Sequence, residues 1–181
     1  VIRWAAVAYL LVFTGQMVQN NMVLSSRMAT GMPAEDLVGY QLALRYAAKV
    51  IAGLILGWLG ARFSTRAPMI TVTLLTASAI CWVLIFRGMW FLPAFAFAGA
   101  GELWGVYYPN YIIAASKPDH MRRNVALLSL FAAPTALSPV LYGAISDTWG
   151  LPASFICGLI MVFMALFTIT LFLPVSPKPA G

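Results

Sequence analysis

The sequence predicts an all-α membrane protein with six transmembrane helices, and three observations carry that prediction. The chain is 62% hydrophobic and 9% charged, with a mean hydropathy of +0.88. A soluble domain carries about 25% charged and about 45–50% apolar residues, and a soluble core in a chain of 181 residues could not hide this much apolar surface. The apolar residues also fall into six runs, each near the roughly 20 residues that a helix needs to cross a bilayer. The runs are continuous, not alternating, which favours helices over a membrane β-barrel. The cations, finally, crowd the breaks on one side.

The expected spans are 4–24, 37–61, 69–86, 89–115, 125–145 and 152–173, in a single domain covering 1–181. The first carries Gln16, Gln19 and Asn20 at spacings of three and four, one stripe of a helix, with Tyr9 seven residues earlier and Asn21 off the stripe. Amides in a span either bind helices together or line a wet cavity. The second span holds Arg45 and Lys49, four residues apart on one face. Charges in hydrocarbon are costly unless they are paired or snorkel to an interface. Snorkelling suits Arg45, about eight residues from the helix end, better than Lys49, about twelve residues in.

The third span is separated from the fourth by Arg87-Gly88, very few residues in which to turn. The fourth holds Glu102, about thirteen residues in and so at the depth of Lys49. A Lys49–Glu102 ion pair is therefore expected across the second and fourth spans. Gly99, Gly101 and Gly105, with Gly53 and Gly57 on the second span, allow close helix approach. Pro109 frees a backbone carbonyl and permits a kink. Around it stand Tyr107, Tyr108 and Asn110; the tyrosines suit an interface, and Asn110 lies roughly cofacial with Glu102. Pro134 and Pro139 interrupt the fifth span, and Cys81 and Cys157 serve as small hydrophobes.

If the N-terminus marks one side, that side receives Arg3, Arg62, Arg66, Lys117, Arg122, Arg123 and Lys178. The other receives Arg27 and Arg87. Loops rich in Lys and Arg stay in the cytoplasm, so both termini are expected inside a plasma or inner membrane. The loop 117–123, with His120, reads as a solvated positive loop. The chain opens on Val1 and shows no cleavable secretory signal, so a longer or processed protein is expected.

The segment after the second span reads Gly57-Trp58-Leu59-Gly60-Ala61-Arg62-Phe63-Ser64-Thr65-Arg66-Ala67-Pro68. A fainter echo follows the fifth: Gly143-Ala144-Ile145-Ser146-Asp147-Thr148-Trp149-Gly150-Leu151-Pro152. The two lie three helices apart, the spacing of a three-plus-three repeat. On these residues the chain resembles the major facilitator superfamily of secondary transporters, whose signature loop is roughly G-x-L-A-D-R-x-G-R-R. Gly57, Leu59, Gly60, Arg62 and Arg66 match it; Ala61, Ser64 and Thr65 depart from it. The missing acid at Ala61, and a fifth span reading Ser138-Pro139-Val140-Leu141-Tyr142-Gly143, resemble a C-terminal half, helices seven to twelve.

The resemblance implies one half of a twelve-helix bundle, with Gly57, Gly60, Arg62, Arg66, Gly143, Asp147 and Gly150 in its conformational loops. It tips the amides toward a cavity. The cavity candidates are then Gln16, Gln19, Asn20, Arg45, Lys49, Glu102 and Asn110, with Glu102 the coupling candidate. Two cations and one acid favour a small anionic organic solute, moved by alternating access with proton coupling through Glu102. The partners expected are that solute, the bilayer, and an N-terminal six-helix half in the same chain or a second copy as a homodimer. A six-helix channel or a non-transporting scaffold stays open as the alternative. No pore-loop filter is visible, and no nucleophile–base pair, metal-ligand set, cofactor motif or nucleic-acid surface stands out.

Overall fold

The computed structural model describes residues 1–177, apart from the side chains of Ala34 and Phe131; Lys178 lies outside the described residues. Among these residues the chain folds into nine α-helices and four short 3-10 segments, with no strand. The helices are α1 (Ile2–Gln16), α2 (Met22–Thr30), α3 (Ala34–Arg62), α4 (Arg66–Ile85), α5 (Pro93–Gly101), α6 (Trp104–Ala115), α7 (Met121–Ala132), α8 (Ser138–Trp149) and α9 (Leu151–Phe172). Four tracts are long and apolar enough to cross a membrane: Glu35–Arg62, Arg66–Ile85, Pro118–Trp149 and Leu151–Phe172. The first and fourth expected spans are each divided, into α1 with α2 and α5 with α6.

Helix ends differ from the expected ones for local reasons. The first expected span continues past Leu24 to Thr30 because its hydroxyls satisfy themselves on the helix. Ser26 Oγ donates to the Val23 carbonyl at 2.7 Å, and Thr30 Oγ1 to the Ser26 carbonyl at 2.8 Å. It stops at Gly31, whose φ of 70° is the left-handed conformation that glycine adopts at helix C-termini. α3 opens with Glu35 and Asp36 in its first turn and closes with Arg62 in its last, both favourable to the helix dipole. Between α4 and α5 the chain turns through extended Phe86 and Arg87, Gly88 at φ 61°, and a 3-10 turn Gly88–Phe91. The expected helix start at Met89 therefore moves to Pro93, the first residue of α5. Trp82 clasps this turn, its Nε1 donating to the Trp90 carbonyl at 2.6 Å.

The fourth expected span breaks at Glu102–Leu103, upstream of Pro109, which sits inside α6. The fifth expected span passes through a 3-10 segment Ala133–Leu137 that contains Pro134, and Pro139 stands in the first turn of α8. Gly150, at φ 86° and ψ 160°, joins α8 to α9. That conformation is essentially reserved for glycine.

α1 packs along α9, α3 along α5, and α4 against both α5 and α9. Two apolar clusters stack along the bundle. One contains Val12, Ala52, Val72, Ala100 and Ala165; the other contains Val18, Leu37, Ala77, Ala98 and Val162. Between them runs a polar level, with buried Gln16 on α1 and buried Thr73 and Thr76 on α4. Arg45 on α3 and Gly99 on α5 fall at the same boundary. Half of α4's apolar stretch is buried, against 11% for α3, so the helix carrying both cations is the most open of the four.

Candidate functional site

The site begins with two glycines. A methyl group on Gly99 would collide with the Arg45 carbonyl, and one on Gly101 with Thr76 Oγ1. Glycine therefore lets α5 press onto the backbones of α3 and α4. Three residues beyond Gly99, at the end of α5, stands Glu102. Its carboxylate is held by both cations of α3: Arg45 Nη2 on Oε1, and Lys49 Nζ on Oε2 at 2.8 Å. The expected Lys49–Glu102 contact is formed, and Arg45 joins it instead of snorkelling.

The triad is asymmetric. Glu102 is 18% exposed, while Arg45 and Lys49 keep 39% and 35% of their side chains open. One carboxylate cannot neutralise two cations, so the group carries a net positive charge and presents donors outward. Arg45 offers a planar fork and Lys49 a point charge, one turn apart on the same helix.

The other predicted residues divide. Gln16 and Gln19 are buried, and Gln16 Oε1 and Gln19 Nε2 have no hydrogen-bond partner among the described residues. Asn20 is exposed. The expected stripe does not hold, because the 3-10 segment Met17–Asn21 changes the helical phase inside it. Asn21, off the stripe, makes the interhelical bonds: its Nδ2 lies 2.9 Å from Ser146 Oγ on α8 and 3.1 Å from Ser154 Oγ on α9. Asn110 is exposed, and the break at Glu102–Leu103 alters its phase relative to Glu102. Tyr108 does not sit at an interface. It is fully buried, with its hydroxyl 2.6 Å from Thr73 Oγ1. Tyr107 donates to the Gly53 carbonyl at 3.3 Å.

An aromatic group between α1 and α6 escaped the sequence reading. The rings of Tyr9 and Phe13 on α1 meet Trp104 on α6 at 5.1 Å and 4.7 Å, and Tyr108 closes the group at 6.1 Å from Tyr9. The four-residue spacing of Tyr9 and Phe13 was the available signal.

Of the loop residues, Gly60 faces Pro68 across the α3–α4 turn, where a methyl would lie 3.2 Å from its Cγ. Arg66 Nη2 donates to the Thr170 carbonyl in the last turn of α9 at 2.7 Å, a favourable place for a cation. Arg62 and Asp147 are exposed. Among the described residues a methyl on Gly53, Gly57, Gly105 or Gly143 would meet nothing within 4 Å, so none of them makes the close approach expected at Gly53, Gly57 and Gly105. It occurs instead where α1 crosses α9. There a methyl on Gly15 would lie 2.7 Å from Val162 Cγ2, and one on Gly158 would lie 2.6 Å from Val18 Cγ1.

The sequence profile described as Major Facilitator Superfamily matches residues 5–181. No curated protein matches the chain. Among solved structures, the POT family transporter PepTSo, seen in its in meso crystal structure, superposes with a TM-score of 0.74 at 13% identity. The match covers 99% of this chain and 39% of that one. At that identity the likeness speaks for the fold.

Proposed function

The chain belongs to the major facilitator superfamily of membrane transporters, and we propose that it forms the C-terminal six-helix half of a secondary transporter for a small organic anion. Six crossings follow if the divided tracts α1–α2 and α5–α6 also span. The other half lies in the same polypeptide or in a second copy. Two observations favour a second half: the chain spans 39% of the transporter it superposes on, and α3 leaves two cations partly open. The seven-to-two distribution of Lys and Arg favours cytoplasmic termini in a plasma or inner membrane.

The observation that carries the reading is the triad of Arg45, Lys49 and Glu102. Glu102 and an anionic solute compete for the same donors. A proton on Glu102 discharges its claim on Arg45 and Lys49 and frees both for the solute. Departure of the proton restores the internal pair and expels the solute. Proton and anion thus travel together, while the halves rock about the site.

The test is uptake by the full-length protein in proteoliposomes, using labelled mono- and dicarboxylates and the matching neutral amides. Carboxylates should accumulate and amides should not. Arg45→Gln and Lys49→Gln should each raise KM about tenfold or more, the loss of one charge-assisted hydrogen bond. Equal uptake of amides, or unchanged KM in both variants, contradicts an anion site. Complete absence of solute uptake would favour a scaffold.

A further inference from the structure

We propose that a second site, at the opposite end of the bundle from the chain termini, binds an amphipathic anion with its head at Arg87 and its apolar body in a cavity between α2, α4 and α9. It is separate from the Glu102 triad and does not depend on the transport reading.

The cavity measures about 220 Å³ and lies where the end of α2, the end of α4 and the start of α9 meet. Its walls are largely apolar, with Ala29, Val83, Pro152 and Phe155 among them. An apolar cavity of about 150 Å³ admits benzene, so this one has room for a ring or a short alkyl chain.

Three features call for a negative head group. Arg87 lines the cavity. Its Nη1 is fixed by the carbonyls of Val83 at 3.0 Å and Phe86 at 3.1 Å, while its other nitrogens make no hydrogen bond among the described residues. Ser25, also in the lining, is 8% exposed, and its Oγ has no hydrogen-bond partner among the described residues. A buried hydroxyl without a partner is costly, and a ligand oxygen would satisfy it. The third feature is α9, whose first residues Leu151 and Pro152 reach the cavity. Its N-terminus carries no side-chain cap; Pro152 has no N–H and the Ala153 N–H donates to the Gly150 carbonyl at 3.1 Å, so the Leu151 N–H is the donor left for an anion. A cation, an orphan hydroxyl and a helix N-terminus around an apolar chamber suit a carboxylate or phosphate on a hydrocarbon tail. A fatty anion and an anionic lipid share that chemistry.

The test is equilibrium binding of radiolabelled decanoate to the full-length protein in an uncharged detergent, with decanol as the uncharged control. Decanoate should bind saturably and decanol far more weakly. Arg87→Gln should weaken decanoate about tenfold or more. Ala29→Leu, which fills the chamber, should weaken it comparably. Dioleoylphosphatidylglycerol is then added against dioleoylphosphatidylcholine. Displacement of decanoate by the glycerol lipid alone assigns the site to membrane lipid; no displacement by either assigns it to a free amphiphile. Decanol binding as tightly as decanoate overturns the proposal, and that comparison needs no variant. So does full affinity in both variants with unfolding midpoints unchanged.

Discussion

Glu102 and Gly99 sit three positions apart, yet they influence the site in different ways. Glu102 supplies charge; Gly99 supplies the backbone approach that lets this charge reach α3. A methyl at Gly99 must displace the Arg45 carbonyl. Gly99→Ala should therefore destabilise the protein by about 1–3 kcal/mol, the usual cost of overpacking. Gly105→Ala, with open space around it, should be close to neutral, and thermal unfolding in detergent compares the two. The pairing of Lys49 with Glu102 was legible in the sequence because isolated charges at mid-membrane are so costly that a partner at equal depth is nearly required. The part played by Arg45 was not, since a cation about eight residues from the expected helix end could equally snorkel to an interface.

Helices here are shaped as much by their interruptions as by their apolar faces. The 3-10 segment Met17–Asn21 rotates the amides, buries Gln16 and Gln19, and hands the contact with α8 and α9 to Asn21. Periodicity of 3.6 assumes an unbroken helix, so no count along the sequence could assign those faces. Asn21→Ala removes two interhelical hydrogen bonds at about 0.6 kcal/mol each, the average in a membrane bundle. Its unfolding free energy should fall by about 1 kcal/mol, while exposed Asn20→Ala should change little. At the α8–α9 junction, Gly150→Ala forces a side chain into a glycine-only conformation and should cost roughly 1–3 kcal/mol. An Ala variant as stable as the parent would show that the junction relaxes to another turn. The extension of α2 to Thr30 was hidden for a related reason: a run of Ser, Thr and Arg looks like a loop, but its hydroxyls close on carbonyls of their own helix.

At the scale of the whole molecule, the family and the all-α membrane fold were readable from composition, apolar runs, the placing of the cations and two worn loops. The profile match over residues 5–181 and the superposition on a POT family transporter agree with that reading. What composition could not reveal was the stacking of two apolar clusters with a polar level between them. The triad lies at that level, with its two cations on the most open long helix. Orientation has its own test. Single cysteines at Arg62 and Lys117 should react only with reagent supplied from the cytoplasm, and one at Arg27 only from outside; the reverse pattern contradicts cytoplasmic termini. The central claim is that a proton on Glu102 releases Arg45 and Lys49 to an anionic solute. The most direct measurement is carboxylate transport in proteoliposomes by Glu102→Gln, which mimics the permanently protonated state, with and without a pH gradient. Exchange of solute across the membrane should persist, and accumulation driven by the gradient should be lost. Full gradient-driven accumulation in this variant would contradict the account.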